Sequence, residues 1–158
     1  MTASTPPEAP MEASFCYRLA RETDLFAAIS PQRAGMLKRQ GVPKDRPHLS
    51  ILHVHGIDDE SLPIEGGSAA RDEVFYSAEE TLAAWARNHG SKSDKRTKEI
   101  ETKIQLSKFA DKSAPYELNL CVLEGYGHRF DRALTTQVDN MIWSFFQPHR
   151  KAGGKKNN

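Results

Sequence analysis

The sequence predicts an α/β fold, a mostly parallel sheet with helices on both faces. Three observations carry this. Apolar runs of strand length interleave with stretches of helical spacing, in the order helix, strand, strand, helix, strand, strand, helix. The run LSILHVH (49–55) is apolar enough to sit well inside a sheet. Two of the strands also end in polar, chemistry-capable residues, HGIDD after the first and EGYGH after the second. Open α/β sheets place their chemistry just past the carboxyl ends of strands.

Each element has a local reason. Residues 11–21, MEASFCYRLAR, form a helix whose apolar stripe pairs Phe15 with Leu19 and Cys16 with Ala20. ETD breaks it, and LFAAIS (25–30) is a short buried strand. Residues 31–47 form a polar loop with several prolines and glycines, followed by the strand LSILHVH. The acidic loop 56–67 comes next. Ser77 and Glu80 then make a capping box that opens a helix with Leu82, Trp85 and Ala86 on its apolar face, and Gly90 stops it. IETKIQLSKFA (100–110) and YELNLCVLEG (116–125) are strands divided by DKSAP. The closing helix spans 132–147, with Leu134, Val138, Met141, Ile142 and Phe145 on one face.

The 158 residues fit one domain. Twenty-two basic and 21 acidic residues leave a net charge of +1, which gives no argument for a nucleic acid or an anionic membrane as partner. The basic cluster HRKAGGKK is read as part of a solvated tail, with residues 150–158 disordered. The proline-rich start is read as a disordered leader over residues 1–12. It lacks the basic and apolar regions of a secretory signal. No apolar stretch approaches the length of a membrane span. Cys16 and Cys121 sit in apolar runs and read as small buried thiols.

The two strand ends carry the candidate site. Both should open on one edge of a parallel sheet, which brings Asp59 toward His128. A carboxylate that accepts from an imidazole N–H fixes its tautomer and supports the imidazolium that forms when histidine acts as base. Gly125 and Gly127 around His128 allow a sharp turn. Asp58 is the neighbouring alternative acid. The rival within enzymes is a metal site on His53 and His55, which share one face of a strand and precede two aspartates. No cofactor is expected.

These segments also carry a resemblance. SILHVHGIDDESLPIEGG with SAEETLAAWARNHG resembles the acid-loop segment of the polyhydroxybutyrate depolymerase and feruloyl esterase family of α/β-hydrolases. There a strand ends His-Gly-Thr-Ala-Asp, followed by a Pro-Tyr-x-Gly-Gly stretch and a helix carrying a Trp. VLEGYGHRF resembles that family's Glu-Gly-Gly-Gly-His-x-Trp loop, MIWSFFQPH its closing helix, and YRLARETDLFAAISP the helix and strand after its nucleophile. The likeness covers about residues 13–149. It implies a partial α/β-hydrolase sheet, with Asp59 as catalytic acid and His128 as general base of a serine-type carboxylic ester hydrolase. Tyr126, Arg129, Phe130 and Ile64 depart from the family's usual residues at their positions.

The family's nucleophile lies in Gly-x-Ser-x-Gly, just before the helix that YRLA matches, and no such motif occurs in these residues. Ser68 in GGSAA and Cys16 are weak substitutes. The expectation is the C-terminal part of an esterase, its N-terminal half absent, inactive alone and acting on a polyester or aromatic ester only when completed. The edge left at residues 25–30 would favour self-association. The alternative is a non-catalytic fragment or interaction module with an exposed sheet edge.

Overall fold

The computed structural model of the protein describes residues 11–42, 48–68, 73–91, 97–101, 103–110 and 113–149. It is a mixed α/β fold. The elements are α1 (Met11–Glu22), β1 (Ala28–Ile29), β2 (Ser50–Gly56), β3 (Gly67–Ser68), β4 (Val74–Phe75), α2 (Ala78–Asn88), β5 (Thr97–Glu101), β6 (Ile104–Lys108), β7 (Leu118–Leu123) and α3 (Arg132–Phe146). Among the described residues, five strands form one sheet in the order β1-β2-β7-β6-β5, and β3 and β4 form a separate two-stranded sheet. β1, β2 and β7 are parallel neighbours. β6 runs antiparallel to both β7 and β5, so among the described strands of this sheet it alone points the opposite way.

Every residue of β2 is buried, because the sheet is covered on both faces. Its side chains alternate. Ile51 joins Tyr17 and Ala20 of α1 and Leu82, Trp85 and Ala86 of α2 in one core. Leu52 and Val54 join Leu134, Val138 and Phe145 of α3 in the other. The helices are specified locally as well. The Ser77 side chain accepts from the Glu80 backbone while the Glu80 carboxylate accepts from the Ser77 N–H, completing the expected capping box. Asp131 caps α3 by accepting from the Leu134 N–H at 2.8 Å. That bond holds the Asp131 carboxyl below its ordinary range.

Several local expectations are corrected. The edge strand is two residues long rather than six, and Leu25 and Phe26 are exposed rather than buried. The chain still follows β2 further on: Val54 N–H donates to Pro31 O at 3.0 Å and Arg33 N–H donates to Val54 O at 2.9 Å. Pro31 has no N–H to give, so the regular ladder stops there. The segment after β1 was expected to be a polar loop. Instead it buries Ala34, Met36 and Leu37, and its residues 43–47 lie outside the described part.

The single strand expected over 100–110 is a hairpin, with Glu101 paired to Ile104 and the chain reversing at Lys103, whose φ is 63°. On α1, Tyr17 and Ala20 face the core while Phe15 is 53% exposed, so the buried face is rotated from the expected stripe. Cys16 is half-buried rather than buried, and Cys121 is fully buried. α1 begins at Met11, inside the expected leader. Residues 1–10 and the expected tail 150–158 lie outside the described residues.

Candidate active site

The ends of β2 and β7 are joined backbone to backbone. Beyond the strand, Ile57 N–H donates to Leu123 O and Asp58 N–H donates to Tyr126 O, each at 3.0 Å. Gly56 lies against the Tyr126 and Gly127 carbonyls so closely that a Cβ would collide with them. Gly127 in turn sits over the Asp58 carbonyl. Gly125 turns the chain out of β7 with φ 74°, a conformation that glycine adopts without the steric penalty of a side chain.

This junction brings Asp59 and His128 together. His128 Nδ1 lies 2.8 Å from Asp59 Oδ2. The Asp59 carboxylate is buried, and its other oxygen accepts the N–H groups of Ser61 and Leu62, both at 2.9 Å. A carboxylate can only accept, so His128 donates from Nδ1, and in the neutral ring Nε2 carries the lone pair. The His128 side chain is 34% exposed, and among the described residues its Nε2 has no hydrogen bond. An oriented imidazole with a free basic nitrogen can therefore take a proton from a hydroxyl placed beside it. Asp58, the alternative acid, is exposed, and it meets the His128 loop through its backbone.

Behind the pair stands a buried row of polar side chains. His55 Nε2 lies 2.8 Å from Leu62 O and 3.6 Å from Asp59 Oδ2. His55 Nδ1 lies 3.0 Å from His53 Nε2, and His53 Nδ1 lies 2.6 Å from the Tyr17 hydroxyl. Burial pushes His53 well below the ordinary imidazole range, helped by repulsion from His55. Burial also lowers His55, partly offset by the bond to Leu62 and by the Asp59 charge. The Tyr17 hydroxyl is pushed well above its ordinary range by the same loss of water. His53 and His55, read as possible metal ligands, thus bond to each other and to protein groups. Among the described residues no group of three or more His, Cys, Asp or Glu is placed to hold a metal ion.

Sequence reasoning missed Tyr17 and Arg33. Arg33 Nη1 donates to the His128 carbonyl at 3.1 Å, and its guanidinium stacks 4.9 Å over the Phe130 ring. Its own φ is 49°, an uncommon value for a residue with a side chain. Nothing in the composition or spacing around Arg33 signals this role. The helical position of Tyr17 was visible in the sequence, but its partner His53 was not. Of the weak nucleophile candidates, Ser68 lies exposed on the small β3–β4 sheet and Cys16 is half-buried on α1.

No protein-family model matches the chain, and comparison with curated proteins finds no match. No described helix is long and apolar enough to cross a membrane.

Proposed function

We propose that Asp59 and His128 are the acid and the base of a serine-type carboxylic ester hydrolase, in a partial α/β-hydrolase sheet. The carrying observation is the 2.8 Å bond from His128 Nδ1 to a buried carboxylate, formed at the carboxyl edge of neighbouring parallel strands. The sequence likeness to the polyhydroxybutyrate depolymerase and feruloyl esterase family supports the same two residues in these roles. These 158 residues contain no Gly-x-Ser-x-Gly, so the reading needs a hydroxyl nucleophile supplied from outside them.

The chemistry follows from the orientation of the ring. His128 Nε2 takes the proton of the hydroxyl as its oxygen bonds to the ester carbonyl carbon. The tetrahedral intermediate collapses with cleavage of the ester C–O bond, and the imidazolium returns the proton to the departing alkoxide. Water repeats the sequence and releases the acid. Asp59 holds the ring and supports its charge throughout.

Loss of a triad serine alone costs on the order of 10⁶ in kcat. The isolated chain is therefore expected not to hydrolyse p-nitrophenyl esters, hydroxybutyrate oligomers or feruloyl esters measurably. Adding a separately expressed segment that carries Gly-x-Ser-x-Gly should restore hydrolysis, and His128→Ala should then remove it. Turnover by the isolated chain that survives both Asp59→Ala and His128→Ala would overturn the assignment.

A further inference from the structure

We propose that Tyr17, His53 and His55 form a buried, one-directional hydrogen-bond chain of positioning residues that sets Leu62, and through Leu62 the Asp59 carboxylate, against His128. The inference rests on the acid–base reading of Asp59 and His128.

The direction follows from the last acceptor. Leu62 O can only accept, so His55 donates to it from Nε2 over 2.8 Å. A neutral His55 then has a bare Nδ1, which must accept from His53 Nε2 at 3.0 Å. A neutral His53 has a bare Nδ1 in turn, and the Tyr17 hydroxyl donates to it at 2.6 Å. Three donors meet three acceptors, and none of these groups is left over. Burial of both rings favours the uncharged forms that this order requires.

The far end of the chain acts on the acid loop. Leu62 is held at three points. Its carbonyl accepts from His55, its N–H donates to Asp59 Oδ1 at 2.9 Å, and its side chain packs with Leu37 and Phe75. With Oδ1 engaged by the Ser61 and Leu62 amides, Oδ2 is left facing His128. A carboxylate held this way loses its choice of orientation before any substrate arrives, which is how a supporting shell sharpens a catalytic group.

The test reads the histidine rings directly. In the full chain at pH 7.5, long-range ¹H–¹⁵N spectra should show both His53 and His55 as the Nε2–H tautomer. Either ring as the Nδ1–H tautomer, or as an imidazolium, overturns the proposal. Variants then test the coupling. His55→Leu removes the donor to Leu62 and should speed amide exchange at Ser61 and Leu62 by about tenfold, the loss of roughly one hydrogen bond. It should also broaden the His128 Nδ1–H resonance, while amides of β2 and β7 keep their protection. His55→Gln can present an N–H near the same place and should restore most of the protection.

Unchanged exchange and an unchanged His128 resonance in His55→Leu would overturn the coupling. If His55→Leu does not fold, Tyr17→Phe serves, because it removes one hydroxyl. It should shift the His53 ring nitrogens and speed Leu62 exchange, and no change at either place overturns the proposal. These readouts need no ester turnover. A chain with this order of tautomers that still fails to hydrolyse esters when completed would count against the esterase reading alone.

Discussion

The backbone of Gly56, at the end of β2, packs directly against the carbonyl of Tyr126 in the loop that follows β7. This contact lets two loops far apart in sequence share backbone hydrogen bonds, and it delivers Asp59 and His128 from positions 69 residues apart to a 2.8 Å bond. Replacing Gly56 by alanine puts a methyl group where the Tyr126 and Gly127 carbonyls now lie. Both obstacles are backbone, so neither can swing aside. Gly56→Ala is expected to destabilise the fold by about 1–3 kcal/mol, the usual range for overpacking. It should also loosen the Asp58 N–H bond to Tyr126 O. Urea denaturation and amide exchange at Asp58 check this, and an unchanged midpoint with unchanged exchange would contradict it.

Asp59→Asn separates the two tasks of the carboxylate. The amide oxygen can still accept from the Ser61 and Leu62 N–H groups, so the loop should hold and stability should fall by about 1 kcal/mol or less. The amide NH₂ then faces His128 Nδ1 and requires an acceptor there. The ring should switch to the tautomer protonated at Nε2, which removes the basic nitrogen from the open side. Nitrogen NMR of His128 reads this switch, and persistence of Nδ1–H in Asp59→Asn would sink the pairing. In a completed site, such a tautomer error is expected to lower kcat by about 10⁴-fold. Asp59→Ala gives up the two amide bonds as well and should cost about 1–3 kcal/mol.

What could be read from the sequence was local. LSILHVH carries its own burial, Ser77 and Glu80 are three residues apart, and the strand-end residues Asp59 and His128 follow from the rule that open α/β sheets bind at carboxyl edges. The remainder depended on distant partners. Tyr17 lies in the expected first helix but outside the apolar stripe read there, and the partner that explains its burial, His53, is 36 positions away. Arg33 reaches a carbonyl 95 positions away from a left-handed backbone that no glycine or asparagine announces. The β5–β6 hairpin turns at Lys103 without a glycine of its own, so periodicity alone ran the two strands together. Pro31 shortened β1 by withholding an N–H, an effect that depends on which side of the strand faces β2.

The β1 edge should drive association between copies of the chain. Among the described residues, β1 pairs with β2 on one side alone. Beside it, Leu25 is 71% exposed and Phe26 40% exposed. Unpaired strand edges flanked by apolar side chains recruit further strands. Light scattering across a concentration series is expected to show growth in mass, and a Leu25→Lys, Phe26→Lys double variant should return the chain toward monomer. A wild-type chain that stays monomeric at high concentration would refute this expectation.

Stability should fall on both sides of neutrality, for reasons rooted in the buried rings. His53, His55 and His89 all sit below the ordinary value of 6.5 when folded, His89 at about 4. Burial is the first cause in each case. The repulsive neighbour is His55 for His53, His128 for His55 and His48 for His89, while Asp59 and the Leu62 carbonyl partly offset the shift at His55. In the unfolded chain these rings take up protons near pH 6.5, whereas the folded chain refuses them until lower pH. The unfolded state therefore binds more protons in this window, and stability rises with pH through it. The stabilisation is complete above about 6.5 and is lost as pH falls, at about 1.4 kcal/mol per pH unit for each ring that stays neutral when folded.

Tyr17 sets the opposite limb. Its folded value lies well above 10, so the unfolded chain loses that proton first, and stability declines as pH rises beyond about 10. Melting temperature against pH should be flat from about 7 to 9 and fall on either side. Tyr17→Phe should flatten the alkaline fall while leaving an acid fall from His55 and His89 in place. A melting temperature that rises between pH 7 and pH 5 would show that these rings are not held neutral in the folded protein.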